Sequence, residues 1–184
     1  MMARIHSAAE LEEVRKGILS KKDLNKPCVA ICGGIGCLGG RESLIRAFEE
    51  EVEKQSLESK VDVRVTGCHG FCAQGPNLVI YPEEICYVKV RPEDASEIVS
   101  QTLIRKKVVD RLVYTDPNTG QKAVYQSEIP FYNKQTRHLL GKNPKIDPRS
   151  IDDYLAIGGY SSLAKALLQM SPEQVLEEVK KANL

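Results

Sequence analysis

The sequence predicts an α/β domain followed by a smaller helical segment, and three observations support this interpretation. The spacing of apolar residues changes between helical and alternating several times before residue 104, whereas after residue 130 it is helical. The turn-rich stretch TDPNTGQ separates the two parts. All 6 cysteines lie between Cys28 and Cys86, which indicates two parts with different roles.

The first part contains a helix, a strand, a second helix, three strands and a third helix. Ser7 and Glu10 form a capping box that begins the first helix, and RESLIRAFEEEVEKQ forms the second. Pro92 opens the third helix. Strands are predicted at residues 27–31, 61–65, 78–81 and 85–90. This order within about 90 residues predicts a small α/β sandwich of the thioredoxin type.

The second part is predicted to be helical. Helical segments are expected at Phe131–Leu140, from Asp147 through Leu155, at Tyr160–Met170 and after the capping box SPEQ that begins at Ser171. We therefore divide the chain into a domain at 1–115, a linker at 116–130 and a helical segment at 131–184. Because this segment has too few apolar residues for a large core, we expect it to pack on another surface.

Charge and hydropathy exclude several classes of protein. The 26 basic and 25 acidic residues leave a net charge of +1, which gives no reason to expect nucleic acid or an anionic membrane as partner. No apolar run approaches the roughly 18 residues of a membrane span, and the first residues lack a signal-peptide core. We expect a cytoplasmic protein whose cysteines serve metal or redox chemistry rather than disulfides.

Four cysteines form two closely spaced pairs in predicted loops. Cys32 and Cys37 lie in CGGIGC. Cys68 and Cys72 lie in CHGFC, so the spacing is C-x4-C, 30 residues and C-x3-C. Because each pair follows a predicted strand, the two loops can gather four thiolates. Such an all-sulfur site suits an iron–sulfur cluster or a structural zinc ion.

The alternatives to an iron–sulfur cluster are weaker. Zinc sites usually contain C-x2-C knuckles, and redox disulfides usually use that same spacing, which neither pair has. Chance burial of four loop cysteines among glycines is less expected still. An iron–sulfur cluster is therefore favoured, and four ligands match a two-iron or a four-iron cluster equally by count.

The stretch Gly34–Gly39 matches the pattern G-x-G-x-x-G of dinucleotide-binding loops. A Rossmann unit needs an acidic residue at the end of the next strand, but that strand ends in RVT, and cysteines bracket the glycine motif. We therefore reject a dinucleotide site. The glycines are interpreted as letting the backbone curl around a cluster, with N–H groups of Gly33, Gly34 and Gly70 directed at sulfur.

The other candidate residues have structural interpretations. Cys28 and Cys86 fall on predicted strands as small buried hydrophobes, with Cys28 as the second-choice ligand. His69 lies between two cysteines and can tune the site or replace a ligand, but a solvent-facing loop histidine is favoured. Three tyrosines of the helical segment are interpreted as packing residues rather than flavin contacts: Tyr132, Tyr154 and Tyr160.

The motifs CGGIGC and GCHGFCAQGP, together with YVKVRPEDASEIV, resemble the thioredoxin-like [2Fe-2S] ferredoxin family. This resemblance implies a [2Fe-2S] cluster. The family's ligands correspond to Cys32, Cys37, Cys68 and Cys72.

The second part resembles the beginning of a larger subunit that binds flavin and NADH. The stretches that carry this resemblance are EIPFYNKQTRHLL, IDPRSIDDYLAIGGYSSLAKAL and SPEQVLEEVKKANL. Such subunits occur in complex I (NADH dehydrogenase) and in NAD(P)-linked, often electron-bifurcating, hydrogenases and formate dehydrogenases. In the hydrogenase-type versions a thioredoxin-like domain precedes this segment, which is the order seen here.

Together the resemblances imply an electron-transfer module of such an oxidoreductase complex, with the other subunits as partners. A structural or assembly domain, with zinc or an inert cluster stapling the loops, is the alternative. The glycine-rich flavin and nucleotide loop of the larger subunits does not follow here, so FMN and NADH are expected only in the larger subunit or complex. The chain is then a fragment or a short relative. We expect an exposed apolar face for docking or self-association around Tyr154, Leu155, Leu163 and Leu167.

Overall fold

A computed structural model describes residues 4–23, 25–33 and 41–183. Its α-helices are α1 (Ala8–Ser20), α2 (Arg41–Lys54), α3 (Ala95–Ile98), α4 (Pro130–Asn133), α5 (Ile151–Ala156), α6 (Ser161–Gln169) and α7 (Pro172–Ala182). Its strands are β1 (Cys28–Cys32), β2 (Asp62–Thr66), β3 (Leu78–Tyr81), β4 (Ile85–Tyr87), β5 (Tyr114–Thr115) and β6 (Lys122–Ala123). The chain forms two compact units, a sheet unit at Leu24–Pro148 and a helical unit made of Met1–Asp23 and Arg149–Leu184.

The sheet unit is built on a four-stranded sheet with the order β2-β1-β3-β4. Strands β1 and β2 are parallel, with Cys28 opposite Asp62 and Cys32 opposite Thr66. Strand β3 runs antiparallel to both β1 and β4. Because β1 and β2 are parallel, the loops that follow Cys32 and Thr66 leave the same edge of the sheet.

Side chains alternate between two buried faces of this sheet. Ile80 of β3 and Tyr87 of β4 point into a core with α2 and α3, which contribute Phe48 and Ile98 among others. Val79 and Cys86 point the other way, into a cluster completed by Tyr114, Ala123, Ile129 and Tyr132. The period of two along β3 and β4 therefore buries both faces, one under helices and one under the chain that follows.

The predicted element order is confirmed through residue 104, but two assignments after it are wrong. The predicted linker 116–130 packs along β4, because Cys86 N–H donates to Val124 O at 2.9 Å and Gln126 N–H donates to Glu84 O, just before β4, at 3.0 Å. The predicted helix Phe131–Leu140 is a helix only at Pro130–Asn133. The structure thus groups residues 116–148 with the sheet, not with a linker and a helical segment.

In the helical unit, α1 packs against α5 and α6. The Lys22 ammonium pairs with the buried Asp153 carboxylate at 2.5 Å, and Arg15 Nε donates to the carbonyl oxygen of Ala156 at 3.3 Å. Ser7 caps α1 and Ser171 caps α7, as their capping motifs predict. The N-terminal helix, predicted to belong to a domain at 1–115, therefore groups with the last helices of the chain.

Several apolar side chains of α6 and α7 are exposed. Leu163 is 51% exposed and Leu167 is 72% exposed, as expected for the predicted apolar face, whereas Leu155 is only 4% exposed, so its assignment to that face is wrong. Self-association through this face stays a prediction. Within the described ranges no helix has the length and apolar character needed to cross a membrane.

Candidate metal centre

The cysteine pairs lie where the parallel strands β1 and β2 end. Cys32 is the last residue of β1, and Cys68 follows β2 by two residues. Cys72 begins a short 3-10 helix, Cys72–Gln74, and its side chain is exposed. Cys37 lies in 34–40, outside the described residues, so its position stays a prediction. Parallel pairing thus brings the start of each cysteine loop to one sheet edge.

Backbone N–H groups of the second loop point at sulfur. The amide of His69 donates to Cys32 Sγ at 3.3 Å, which joins the two cysteine loops. The amide of Gly70 donates to Cys68 Sγ at 3.2 Å, so its N–H is directed at sulfur as predicted. Gly70 has φ +84°, a left-handed conformation that favours glycine. N–H donors on sulfur stabilise negative charge there, as a metal-bound thiolate requires.

The N–H group of Gly33 is not directed at sulfur, so that prediction is wrong. Its N–H donates to Thr66 O at 2.9 Å, extending the parallel pairing by one residue instead of reaching sulfur. A Cβ atom at Gly33 would lie 2.3 Å from Val65 Cγ1 and 2.6 Å from Thr66 O, so close packing of the strand ends requires glycine. Gly34 lies outside the described residues.

His69 is fully buried, so its prediction as a solvent-facing loop residue is wrong. Its Nε2 atom lies 2.8 Å from Thr66 Oγ1. The Thr66 hydroxyl has carbonyl acceptors in Ile31 and Gly67, which favours the tautomer in which Nε2–H donates to Thr66. Burial, with the Arg137 charge as a smaller cause, lowers the pKa of His69 to about 4. The imidazole is therefore neutral at pH 7, and it packs beneath the second cysteine loop.

The second cysteine loop is contacted by a segment that lies much later in the sequence, residues 137–146. Arg137 Nη2 donates to the carbonyl oxygen of His69 at 2.9 Å. The Gly67 N–H approaches two carbonyl oxygens, that of Asn143 at 3.0 Å and that of Ile146 at 3.1 Å. No local signal marks these residues as part of the site, because the contacts join stretches far apart in sequence.

Aromatic rings pack beside the loop. Phe71 stacks on Phe131 with centroids 4.6 Å apart and an angle of 12°. Tyr132 meets Phe71 edge-on at 5.5 Å and is 8% exposed, which confirms its predicted packing role. Burial raises the pKa of Tyr132 above its usual value. Tyr154 and Tyr160 pack edge to face in the helical unit at 5.0 Å.

The remaining described cysteines are buried in the sheet, as predicted. Cys28 is 8% exposed and Cys86 is fully buried. Burial raises the pKa of the Cys86 thiol to about 12, so it remains protonated at neutral pH and is a poor metal ligand. None of the cysteines that the structure describes is in a disulfide.

The donor set fits an iron–sulfur cluster. Cys32, Cys68 and Cys72 offer soft sulfur ligands, and two amides already point at sulfur. Among the described residues no three His, Cys, Asp or Glu side chains lie close enough to share one metal ion, and the fourth proposed ligand, Cys37, lies outside those residues.

Known proteins with similar sequences identify the family, although no family model matches the chain. A 2Fe-2S ferredoxin from Clostridium pasteurianum is 42% identical over 69 residues, which cover 38% of this chain and 68% of that protein. The chain belongs to the 2Fe-2S ferredoxin family. A 2Fe-2S ferredoxin from Aquifex aeolicus (strain VF5) is 36% identical over 75 residues, covering 40% of this chain and 68% of that ferredoxin. Family membership and the sheet topology confirm the predicted fold class, a thioredoxin-like ferredoxin domain followed by a helical segment.

Two further similarities extend this comparison. The NADP-reducing hydrogenase subunit HndC of Solidesulfovibrio fructosivorans is 54% identical over 51 residues, which cover 28% of this ferredoxin-family chain and 10% of that subunit. The solved wild-type thioredoxin-like [2Fe-2S] ferredoxin from Aquifex aeolicus is 29% identical, with a TM-score of 0.44. That match covers 49% of this chain and 97% of the solved one.

Proposed function

We propose that this ferredoxin-family chain is an electron-transfer module that carries single electrons on a [2Fe-2S] cluster. The proposed ligands are Cys32, Cys37, Cys68 and Cys72. The observation that supports it best is the pair of backbone N–H groups directed at Cys32 Sγ and Cys68 Sγ. A [2Fe-2S] cluster supplies a one-electron couple whose potential depends on charge and on hydrogen bonds to sulfur.

The residues around the cysteines have separable roles. The amides of His69 and Gly70 stabilise negative charge on sulfur, and they do so more strongly when the total negative charge increases. The buried Phe71, next to Cys72 in the chain, stacks on Phe131 and so packs this part of the second cysteine loop. The exposed Cys72 leaves the site at the protein surface, where a partner's redox group can approach.

Serine substitutions test the ligand set. Cys32→Ser, Cys37→Ser, Cys68→Ser and Cys72→Ser should each lose most of the iron and acid-labile sulfide after anaerobic reconstitution. Cys86→Ser is the matched control, because Cys86 is buried in the sheet. Loss of the cluster on Cys28→Ser, with retention in the four loop variants, would contradict this assignment.

The alternative, a structural or assembly domain, is tested by colour. An electron carrier purified anaerobically is brown and bleaches with dithionite. A colourless protein with stoichiometric zinc would favour a structural metal site that only links the two cysteine loops.

We also propose that the module works in a multi-subunit NAD(P)-linked complex in the cytoplasm, with a hydrogenase type favoured over NADH dehydrogenase or formate dehydrogenase. The similarity to HndC supports this choice. FMN and NADH are then bound by the larger subunit or elsewhere in the complex. Calorimetric titration of this chain with FMN and with NADH should show no binding, and tight binding at a stoichiometry of one would contradict the proposed division of labour.

A further inference from the structure

We infer that Arg137 raises the reduction potential of the cluster through the peptide group that joins His69 to Gly70. This inference rests on the proposed function. Arg137 Nη2 donates to the His69 carbonyl oxygen at 2.9 Å. The N–H of the same peptide group belongs to Gly70 and donates to Cys68 Sγ at 3.2 Å. One planar amide therefore links a guanidinium to a proposed ligand sulfur.

Hydrogen bonds in such a chain strengthen one another. A charged donor on the carbonyl oxygen polarises the amide, so the N–H on the other side becomes a better donor. A stronger N–H bond to sulfur stabilises the reduced cluster more than the oxidised one, because the reduced cluster carries more negative charge. The guanidinium charge acts in the same direction.

Arg137 is held in place by its surroundings. Its guanidinium carbon lies 5.4 Å from the centroid of the Tyr132 ring, a cation–π contact. Tyr132 is itself fixed by Phe71 and Phe131, which it meets edge-on at 5.5 and 5.1 Å. The half-buried guanidinium therefore lies against the buried Tyr132 ring, which restricts where it can point.

The conformation of Gly70 makes this arrangement possible. At φ +84° it turns the His69–Gly70 peptide so that its oxygen faces Arg137 and its N–H faces Cys68. His69 also donates its own N–H to Cys32 Sγ at 3.3 Å. By fixing His69, Arg137 positions the N–H donors to Cys32 Sγ and Cys68 Sγ, and it acts as a positioning residue rather than a ligand.

Redox titration of the reconstituted full chain tests this inference. Arg137→Gln should move the midpoint potential to a more negative value. At a fixed solution potential the ratio of oxidised to reduced cluster should rise roughly threefold to tenfold, and tenfold corresponds to about 59 mV for a one-electron couple. Arg46→Gln, which removes an exposed arginine of α2, should leave the potential unchanged.

Salt separates the peptide relay from a general charge effect. Screening weakens interactions between distant exposed charges but changes a direct hydrogen bond little. The Arg137→Gln shift should therefore persist at 1 M salt, where the Debye length is about 3 Å. A shift that disappears at that salt, or an Arg137→Gln potential equal to that of wild type, would overturn the inference.

Hydrogen exchange of the cluster-free protein gives a second readout. Arg137→Gln should speed exchange of the amides at 67–71, and unchanged exchange there would contradict the anchoring role. If Arg137→Gln does not retain the cluster, the potential of Arg137→Lys is measured instead. It should shift in the same direction by a smaller amount, and no shift would overturn the inference. A wild-type protein that takes up no iron would instead contradict the proposed function, while the exchange experiment would still test Arg137.

Discussion

The amide nitrogen of Gly67 lies 3.0 Å from the carbonyl oxygen of Asn143 and donates a hydrogen bond to it. Gly67 immediately precedes Cys68, and Asn143 begins the short 3-10 helix Asn143–Lys145. The hydrogen bond is therefore a direct tie between a cysteine loop and a segment that follows the whole sheet.

Gly67→Ala should loosen this tie. A Cβ atom there would lie 3.0 Å from Asn143 Cβ and 3.2 Å from its carbonyl oxygen, so Asn143 must give way by a few tenths of an ångström. Overpacking of this kind costs about 1–3 kcal/mol, measured by chemical denaturation. Gly17→Ala in α1 is the control, because nothing lies within 4 Å of that position and alanine favours a helix. Equal stability of the two variants would contradict the prediction.

Tyr87→Phe should destabilise the sheet unit. The Tyr87 hydroxyl lies 2.6 Å from Thr102 Oγ1 and accepts the N–H of Val109 at 2.9 Å, inside the core. Removing it leaves the buried Val109 amide without this acceptor, at a cost of about 1–3 kcal/mol. The measurement is the midpoint and slope of urea denaturation. Tyr125→Phe, at a site 44% exposed, should change little, and a similar loss in both variants would refute the assignment.

Lys22→Met should weaken the packing of α1 on α5. The side chain of Asp153 is 7% exposed and that of Lys22 is 27% exposed, so the substitution leaves a largely buried carboxylate without this cation. We expect a loss of about 1–3 kcal/mol, less than for a fully buried pair. Hydrogen exchange of α1 and α5 reports it locally. Lys181→Met removes an exposed pair with Glu177 and should have no measurable effect; protection unchanged in Lys22→Met would count against the prediction.

The cluster should contain two irons. Family membership supports this, since the curated relatives are 2Fe-2S ferredoxins. Iron and acid-labile sulfide should each approach two per chain after anaerobic reconstitution, a value set by the cluster type. A reproducible content near four of each would disprove the two-iron assignment.

Local patterns predicted the first part of the fold well. Ser7 and Ser171 cap helices through neighbours three residues away, and β2 follows an alternation that spans only five residues. The proposed ligands also came from local spacing, because Cys32 and Cys68 each lie next to a strand end. Such signals survive in the sequence because they need no distant partner.

The errors involve contacts between distant residues. Phe131 and Leu140 lie in a stretch with helical spacing, yet the chain turns away, and a Cβ at Gly141 would lie 2.4 Å from Arg137 O. Arg137, which lies in this stretch, contacts the distant His69 instead of continuing a helix. His69 is buried for the same reason, since the segment that covers its loop comes from much later in the chain. No local pattern encodes these contacts.

The tie between Gly67 and residues 143 and 146 has a consequence for biosynthesis. A chain growing on the ribosome presents both cysteine loops well before it has made residue 146. Until residues 143–146 emerge, the Gly67 N–H lacks both of these carbonyl acceptors. Iron and sulfide delivered during translation would therefore meet a second cysteine loop that lacks its contacts with residues 143 and 146. Iron and sulfide delivered after chain release would meet a loop in which those contacts have formed.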